Sequence, residues 1–322
     1  MAFHLLDSIC YLRYCRIGIA DKRFKKSALC NNIKAISAET WEAINRILLA
    51  YGQDQGTEKG KQARIDCTVV SSNIHEPTDS SLLWDCVRVL TRMLGRINER
   101  FDALHVPFSD HSKRAKRRML GVMNAKNEKA RKKPYEDLLK VTAKTVNYAH
   151  NAVSLLDSFP FKNSSLMMTA LGMAEELKAV IGLTDKVIDQ TTRRVINDES
   201  VPACDKIVSI FEHHTDIIVK DRRETFYGHK VCLSGGKSNL ITDCLILDGN
   251  PADSNLTDQM LDRHEAIYGY YPVKVALDGG FASKANLQSA KKKQVKDVCF
   301  AKKRGLEAEQ MCRSAWVYKR LR

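Results

Sequence analysis

The spacing of hydrophobic residues changes along the chain and predicts three regions. Residues 1–60 show the three- and four-residue spacing of amphipathic helices. Residues 61–75 alternate as a strand does, residues 76–219 return to helical spacing, and residues 220–322 mix strand and helix patterns. We therefore expect a helical N-terminal region, a core made of 61–75 and 220–322, and a large helical insertion at 76–219.

The N-terminal pattern predicts two helices joined by a tight turn. Phe24, Leu29 and Ile33 form one apolar stripe, and Ser37 can cap the second helix. The apolar face of that second helix holds Trp41, Ile44, Ile47, Leu48 and Tyr51. Such a pair fits a helix-turn-helix DNA reader or, more commonly, an ordinary helical hairpin.

The remaining pattern predicts an α/β (α+β) fold. A first strand lies within 63–73, and a long helix begins near Asp79 or Ser80. Further helices are expected around 135–156 and 173–187, with another one at 203–211. The C-terminal part is predicted to contain strands at 225–233, 240–247, 273–277 and 295–301, and helices at 256–268 and 283–292. Residues 234–239 read as a hairpin turn, because strands flank them and position 231, where a phosphate-binding loop needs glycine, is Val231.

Charge narrows the class of partner. The chain of 322 residues has a formal net charge of +14 and a pI near 9.3, for which nucleic acid is the commonest reason. Between Lys113 and Lys144, twelve Lys and Arg residues face three acidic ones, more than pairing along a helix can neutralise. We expect phosphate contacts from the two densest groups, which are Lys113, Arg114, Lys116, Arg117 and Arg118, and then Arg131, Lys132 and Lys133.

Cysteine usage and hydropathy suggest an intracellular location. The ten cysteines contain no Cys-x-x-Cys pair, and Cys67, Cys232, Cys244 and Cys299 interrupt apolar runs as small buried residues do. The sequence shows neither a signal peptide nor a membrane-spanning segment. We expect a cytoplasmic protein that associates with the nucleoid if it binds DNA.

Two aspartates are the best candidates for chemistry. Asp66 lies inside the first strand, and Asp278 follows a later strand and precedes two glycines. Two strands that present carboxylates toward one another suit hard divalent cations such as Mg²⁺ or Mn²⁺, which prefer oxygen ligands. Asp243 and Asp253 are candidates for groups that support the ligands, although a structural role is an equally good explanation for Asp243 and the better one for Asp253.

Several blocks of sequence resemble the DDE transposases of bacterial insertion sequences, of the ISNCY type. Residues 64–70 (RIDCTVV) with 77–84 (PTDSSLLW) resemble the first catalytic block. Residues 226–231 (FYGHKV) with 249–254 (GNPADS) resemble the middle block, and 278–283 (DGGFAS) resemble the block of the second aspartate. The resemblance spans about residues 20–320.

This resemblance implies an RNase H-like core with a helical insertion after its first strand. It implies that Asp66 and Asp278 are catalytic ligands of two Mg²⁺ (or Mn²⁺) ions, with His229 as a further supporting group. It also implies double-stranded DNA as the partner, and a homo-oligomer assembled on that DNA. The reaction is cleavage and transfer of DNA strands during transposition.

The third acidic residue of the family is a glutamate beyond the stretch that resembles residues 316–322 (WVYKRLR). Glu307 and Glu309 precede that stretch and do not match the family position. We therefore expect a fragment, truncated at both ends, with little or no strand transfer. Two rivals remain: a non-catalytic DNA-binding remnant that inhibits a full-length transposase, and an unrelated metal-dependent nuclease that uses Glu307 or Glu309.

Overall fold

The computed structural model describes residues 4, 8–22, 24–101, 103–161, 163–220 and 224–301. The fold is mixed α+β with a mixed β-sheet, as the hydrophobic pattern predicts. The chain forms two compact units. Unit 1 comprises Met1–Asp66, Cys232–Leu245 and Ala252–Arg322, and unit 2 comprises Cys67–Val231 and Ile246–Pro251.

The helices and strands follow the predicted order closely. The α-helices are α1 (Ile9–Tyr14), α2 (Lys26–Ala35), α3 (Ala38–Asp54), α4 (Asp79–Arg100), α5 (Ser112–Met123), α6 (Glu128–Ser158), α7 (Ser164–Thr191), α8 (Thr257–Tyr268) and α9 (Lys284–Lys292). The strands are β1 (Gln62–Ser71), β2 (Asp216–Lys220), β3 (Glu224–Gly235), β4 (Ile241–Ile246), β5 (Lys274–Leu277) and β6 (Asp297–Phe300).

The sheet has the strand order β2-β3-β1-β5-β6, and β4 pairs with β3. In unit 1, β1 and β5 are parallel with Ile65 opposite Leu277, and β5 and β6 are parallel with Leu277 opposite Phe300. In unit 2, β2 and β3 are antiparallel. The parallel strands β5 and β6 need a crossover connection, which α9 supplies, while α8 leads from β4 to β5.

The helices of the N-terminal region leave their apolar face in solvent. Ser37 caps α3 by accepting a hydrogen bond from the Thr40 amide, as predicted. Leu49 and Gly52 are the buried residues of this helix. The predicted apolar face is exposed by 38–70%, and its members are Trp41, Ile44, Ile47, Leu48 and Tyr51.

Unit 2 owes its stability to a helical core. One face of α4 is fully buried, with Leu83, Val87, Leu90, Leu94 and Ile97 each at most 1% exposed. These residues belong to two apolar clusters that also draw side chains from α5, α6 and α7. The buried residues of α4 recur at three- and four-residue spacing, which places them on one face of the helix.

The start of α4 is fixed by polar contacts within unit 2. Thr78 caps the helix, and its side chain and that of Ser81 satisfy each other's backbone amides. Asp79 is buried and accepts hydrogen bonds from Arg194 at 2.8 Å and from Gln190 at 3.3 Å. Arg194 lies in the π-helical turn Thr192–Ile196 that continues α7.

Some sequence expectations were wrong. Residues 203–211 hold only the short 3-10 turn Ala203–Asp205, and β2 was not predicted. Cys232 and Cys299 are buried as expected, but Cys244 is exposed because it lies on the outward face of β4. Within the ranges that the structure describes, no helix is both long enough and apolar enough to cross a membrane.

Candidate active site

Asp66 and Asp278 are neighbours across two parallel strands of unit 1. The last paired residues of β1 and β5 are Ile65 and Leu277, and an aspartate follows each of them, Asp66 within β1 and Asp278 directly after the end of β5. Adjacent strands lie roughly 5 Å apart, and residues opposite each other point to the same face of the sheet. The fold therefore brings together two carboxylates that are 212 positions apart in the sequence.

Each carboxylate keeps contact with solvent and has one hydrogen-bonded oxygen. The Asp66 side chain is 46% exposed, and its Oδ2 accepts a hydrogen bond from Arg64 at 3.0 Å. Asp278 is exposed, and its Oδ1 accepts a hydrogen bond from the Gly279 amide at 2.6 Å. The second oxygen of each group is available to a cation, which is the arrangement expected of hard-metal ligands.

Arg64 is a functional candidate that our sequence reasoning missed. It stands two residues before Asp66 on β1, and residues two apart on a strand share a face. The alternation of apolar Ala63 and Ile65 with polar Arg64 and Asp66 could have revealed it. In the structure the two apolar residues are buried, and the two polar ones are partly exposed. The guanidinium group lies where it can compete with a cation for Asp66 or contact an anionic substrate.

The turn after Asp278 brings in Asp253. Asp278 caps the 3-10 turn Gly279–Phe281, and Phe281 is fully buried. A Cβ atom at Gly280 would lie 2.4 Å from Oδ2 of Asp253, so only glycine allows this carboxylate so close to the turn. The side-chain amide of Asn286 joins this turn to the segment of Asp253, because it donates hydrogen bonds to the carbonyls of Ser254 and Phe281, each at 2.8 Å.

Asp243 is engaged elsewhere in unit 1. It is 5% exposed and forms a two-bond ion pair with Arg263 of α8 at 2.5 and 2.7 Å. Hydrogen bonding to Asp243 raises the pKa of Arg263. The structure thus uses Asp243 to connect β4 to α8, a role that accounts for both of its carboxylate oxygens.

His229 lies in unit 2, in a chain of two adjacent imidazoles with a carboxylate at each end. Its Nε2 is 2.9 Å from Nδ1 of His214, and its Nδ1 is 3.4 Å from Asp216. Nε2 of His214 is in turn 3.1 Å from Glu212. Both ring nitrogens of His229 therefore have neighbours inside unit 2.

The donor set fits one hard cation better than two. Among residues of the described ranges, no group of three or more His, Cys, Asp or Glu side chains is arranged to hold a metal ion. Two carboxylates suffice for Mg²⁺ when water or substrate phosphate completes its shell. Glu307, Glu309 and residues 316–322 lie outside the described residues.

The predicted basic residues lie on α5 and α6 of unit 2, and their surroundings differ. Arg114 and Arg118 both pair with Asp137, and hydrogen bonding from Arg114 lowers the pKa of that carboxyl. Lys132 is 3.4 Å from Asp198, and the Lys116 ammonium lies 5.8 Å from the Trp84 ring centroid. Four exposed residues have no carboxylate partner within the described ranges, namely Lys113, Arg117, Arg131 and Lys133.

Comparisons of this chain with known protein families, with curated proteins and with solved structures each returned no match.

Proposed function

We propose that this chain carries the catalytic core of a DDE-type transposase, which cleaves and transfers DNA strands by metal-dependent phosphoryl transfer. The observation that carries the proposal is the register of β1 and β5, from which Asp66 and Asp278 follow as neighbours. An acidic pair where the pairing of β1 and β5 ends, followed by a glycine turn, suits the approach of a phosphodiester to a bound cation.

The strand order supports an RNase H-like core. A β3-β4 hairpin adjoins β1, and β5 and β6 are added on the other side of β1 in the parallel sense. The 144 residues from 72 to 215 fall between β1 and β2 and are mostly helical, in line with a core that carries a large insertion after its first strand.

Mg²⁺ or Mn²⁺, held by Asp66 and Asp278, would activate the attacking oxygen and stabilise the leaving one. The chain's own contribution is to fix the two carboxylates, because β1 and β5 lock their separation and Asn286 anchors the adjoining turn. Gly280 makes room for the Asp253 carboxylate beside the turn that follows Asp278. The basic residues of α5 and α6 would contribute phosphate contacts that depend on salt.

The first experiment measures cleavage of a labelled DNA duplex by the purified chain in Mn²⁺. We expect Asp66→Asn and Asp278→Asn each to lower the rate by about 100-fold or more, since misplaced ligands cost orders of magnitude. Asp54→Asn, at an exposed position at the end of α3, serves as the matched control and should leave the rate unchanged. Cleavage that survives both substitutions would refute the proposed site.

A second candidate function is a DNA-binding protein without catalysis. It is favoured by the lack of a third converging acidic ligand among the described residues. In this case Asp66→Asn and Asp278→Asn leave DNA affinity unchanged, and no cleavage is seen for any variant. Binding should then depend on the helical insertion.

The insertion offers a matched comparison of charges. Replacing Lys113, Arg117, Arg131 and Lys133 by glutamine removes the four cations without a carboxylate partner, and we expect the salt slope of DNA binding to fall by about 3 to 4. Replacing Arg114 and Arg118 should cost less per charge, because both already pair with Asp137. Equal loss per charge would argue against specific contacts by the unpaired set.

A further inference from the structure

Unit 1 contains a basic cavity at the N-terminal end of β1. The cavity holds about 400 Å³ and is lined by Lys59, Lys61, Lys237, Thr57, Ser238 and Glu58, among others. Lys61 immediately precedes β1, and Asp66 lies five residues further on, roughly 16 Å along an extended strand. We call the three lysines and the cavity between them the lysine cup.

The lysine cup has an excess of positive charge. All three lysines are exposed, and none has a carboxylate partner in the part of the chain that the structure describes. Three ammonium groups against the single carboxylate of Glu58 leave two positive charges in excess. Lysine ammonium groups that converge on one space are typical of phosphate recognition.

Glu58 acts as a cross-link between the two loops that carry the lysines. It is 3% exposed, and its Oε1 accepts a hydrogen bond from the Gly60 amide at 2.9 Å. Its Oε2 accepts hydrogen bonds from the amide of Ser238, at 3.2 Å, and from its hydroxyl. The carboxylate is therefore saturated by donors of the two loops and faces inward, which leaves the lysines to meet a ligand.

Close packing fixes both loops. A Cβ atom at Gly236 would lie 2.0 Å from Oε2 of Glu58, and one at Gly60 would lie 2.5 Å from the Tyr268 ring. The Tyr270 hydroxyl donates a hydrogen bond to the carbonyl of Lys59. The backbone positions of the lysines are thus set before any ligand arrives, which lowers the entropy that binding must overcome.

We infer that the lysine cup binds a phosphate group, carried either by the backbone of DNA or by a free polyphosphate. The turn 236–240 does not have the sequence or the strand-to-helix context of a phosphate-binding loop, yet it brings Lys237 to the same cavity as Lys59 and Lys61. The DNA source rests on the proposed function, whereas the polyphosphate source does not. Neither source depends on metal bound at Asp66 and Asp278.

The test compares two triple variants of the full chain, assayed in EDTA. One replaces Lys59, Lys61 and Lys237 by glutamine. The control replaces Lys284, Lys292 and Lys296, which are exposed residues of the same unit outside the cavity lining, and it removes the same charge. Fluorescence anisotropy reports binding of a labelled duplex, and calorimetry reports binding of inorganic tripolyphosphate.

We expect the cup variant to lose about tenfold or more in affinity and to lower the salt slope for DNA by about 2 to 3, with a much smaller loss in the control. Gly236→Ala keeps every charge but drives a methyl group into Glu58, so it should weaken binding several-fold while thermal unfolding shows the chain still folded. If the cup variant loses binding of both tripolyphosphate and DNA, the cup is a general phosphate site. If it loses binding of DNA alone, the cup recognises phosphates of the polymer.

Equal losses in the cup and control variants, for both probes, would overturn the inference. The result stays separable from the metal site, because Asp66→Asn tests cleavage in Mn²⁺ and should not change binding in EDTA. The tripolyphosphate measurement tests the cup whether or not the chain cleaves DNA, so a failure of the catalytic proposal and a failure of the cup are distinguishable.

Discussion

Two aspartates of unit 1 stand on neighbouring parts of the same sheet and have opposite surroundings. Asp243 on β4 is 5% exposed and makes two short hydrogen bonds to Arg263. Asp66 on β1 has a side chain that is 46% exposed and makes one bond of 3.0 Å to Arg64. Both are strand aspartates next to an arginine, so residue type and pairing alone do not separate them.

Burial and neighbours separate them. A buried two-bond pair uses all the capacity of its carboxylate and becomes costly to break, whereas an exposed single bond contributes little. Asp66 instead follows the last residue at which β1 and β5 pair, and Asp278 follows the same point on the adjacent strand. The contrast shows Asp243 in a structural ion pair and leaves Asp66 as the candidate for chemistry.

The largest expected effect is on the buried pair. Asp243→Ala leaves the Arg263 guanidinium without its partner, and we expect a loss of about 3–5 kcal/mol in the free energy of unfolding. Denaturant titration of each variant measures it. Asp66→Ala is the matched control and should cost less than about 1 kcal/mol. Equal losses at the two positions would show that Asp243 and Asp66 do not differ in their contribution to stability. The double variant Asp243→Leu, Arg263→Met should recover much of the stability, because it leaves no unpaired charge.

The next largest effect on stability is expected within a pair of adjacent leucines on α3. Hydrophobic spacing alone predicts that Leu48 is the buried one, but the structure buries Leu49. Leu49 is 3% exposed and Leu48 is 60% exposed. We expect Leu49→Ala to destabilise by about 2–5 kcal/mol, from lost burial and the cavity left behind. Leu48→Ala should stay within about 0.5 kcal/mol in the same denaturant titration. A large loss at Leu48 would mean that the apolar face of α3 is covered in solution.

This helix shows where sequence reasoning reaches its limit. Periodicity found α3 and its cap at Ser37, because both depend on residues within a few positions of each other. It also grouped Trp41, Ile44 and Tyr51 on one face, but the buried residues are Leu49 and Gly52. Which face a helix buries depends on the surface it meets, and that surface comes from distant parts of the chain.

The site shows the same limit. The strands that carry Asp66 and Asp278 could be predicted from local pattern, while their register could not, since it sets residues 212 positions apart against each other. The Glu58 contacts to Ser238 span 180 positions and left no signal in spacing. The role of Asp243 was open for the same reason, because its partner Arg263 lies 20 positions away on α8, outside the strand of Asp243.

The buried His264 differs from Asp243 because only one of its two polar side-chain atoms has a hydrogen-bond partner among the described residues. Nε2 of His264 donates to the Gly60 carbonyl at 2.8 Å, and its Nδ1 is buried with no hydrogen-bond partner among the described residues. Burial lowers the pKa of His264 in spite of Glu58 and Asp243 nearby, so the folded state favours the neutral ring. The unfolded chain then binds the proton more readily than the folded one below a pH of about 6.5.

Stability from His264 is therefore present above that pH and is lost as the pH falls through the lowered folded-state value. We expect the unfolding midpoint of the native chain to fall more steeply below about pH 6.5 than that of His264→Gln, which can still donate to Gly60 and does not titrate. Thermal unfolding at stepped pH measures the two curves. Parallel curves would show that His264 gains a partner for its second nitrogen in acid.

The smallest expected effect concerns the exposed ion pair between Arg64 and Asp66. Arg64→Gln removes the guanidinium that competes for Oδ2 of Asp66, and an exposed pair contributes at most about 1 kcal/mol. We expect Mn²⁺ to bind more tightly by up to about fivefold, with the free energy of unfolding changed by less than about 0.5 kcal/mol.

Arg46→Gln is the matched control, since Arg46 forms a similar exposed pair with Glu42 on α3. This substitution should leave Mn²⁺ affinity unchanged. Weaker Mn²⁺ binding in Arg64→Gln would mean that the guanidinium orients Asp66 for the cation, and Arg64→Lys should then restore part of the affinity because it keeps the charge but loses the planar fork.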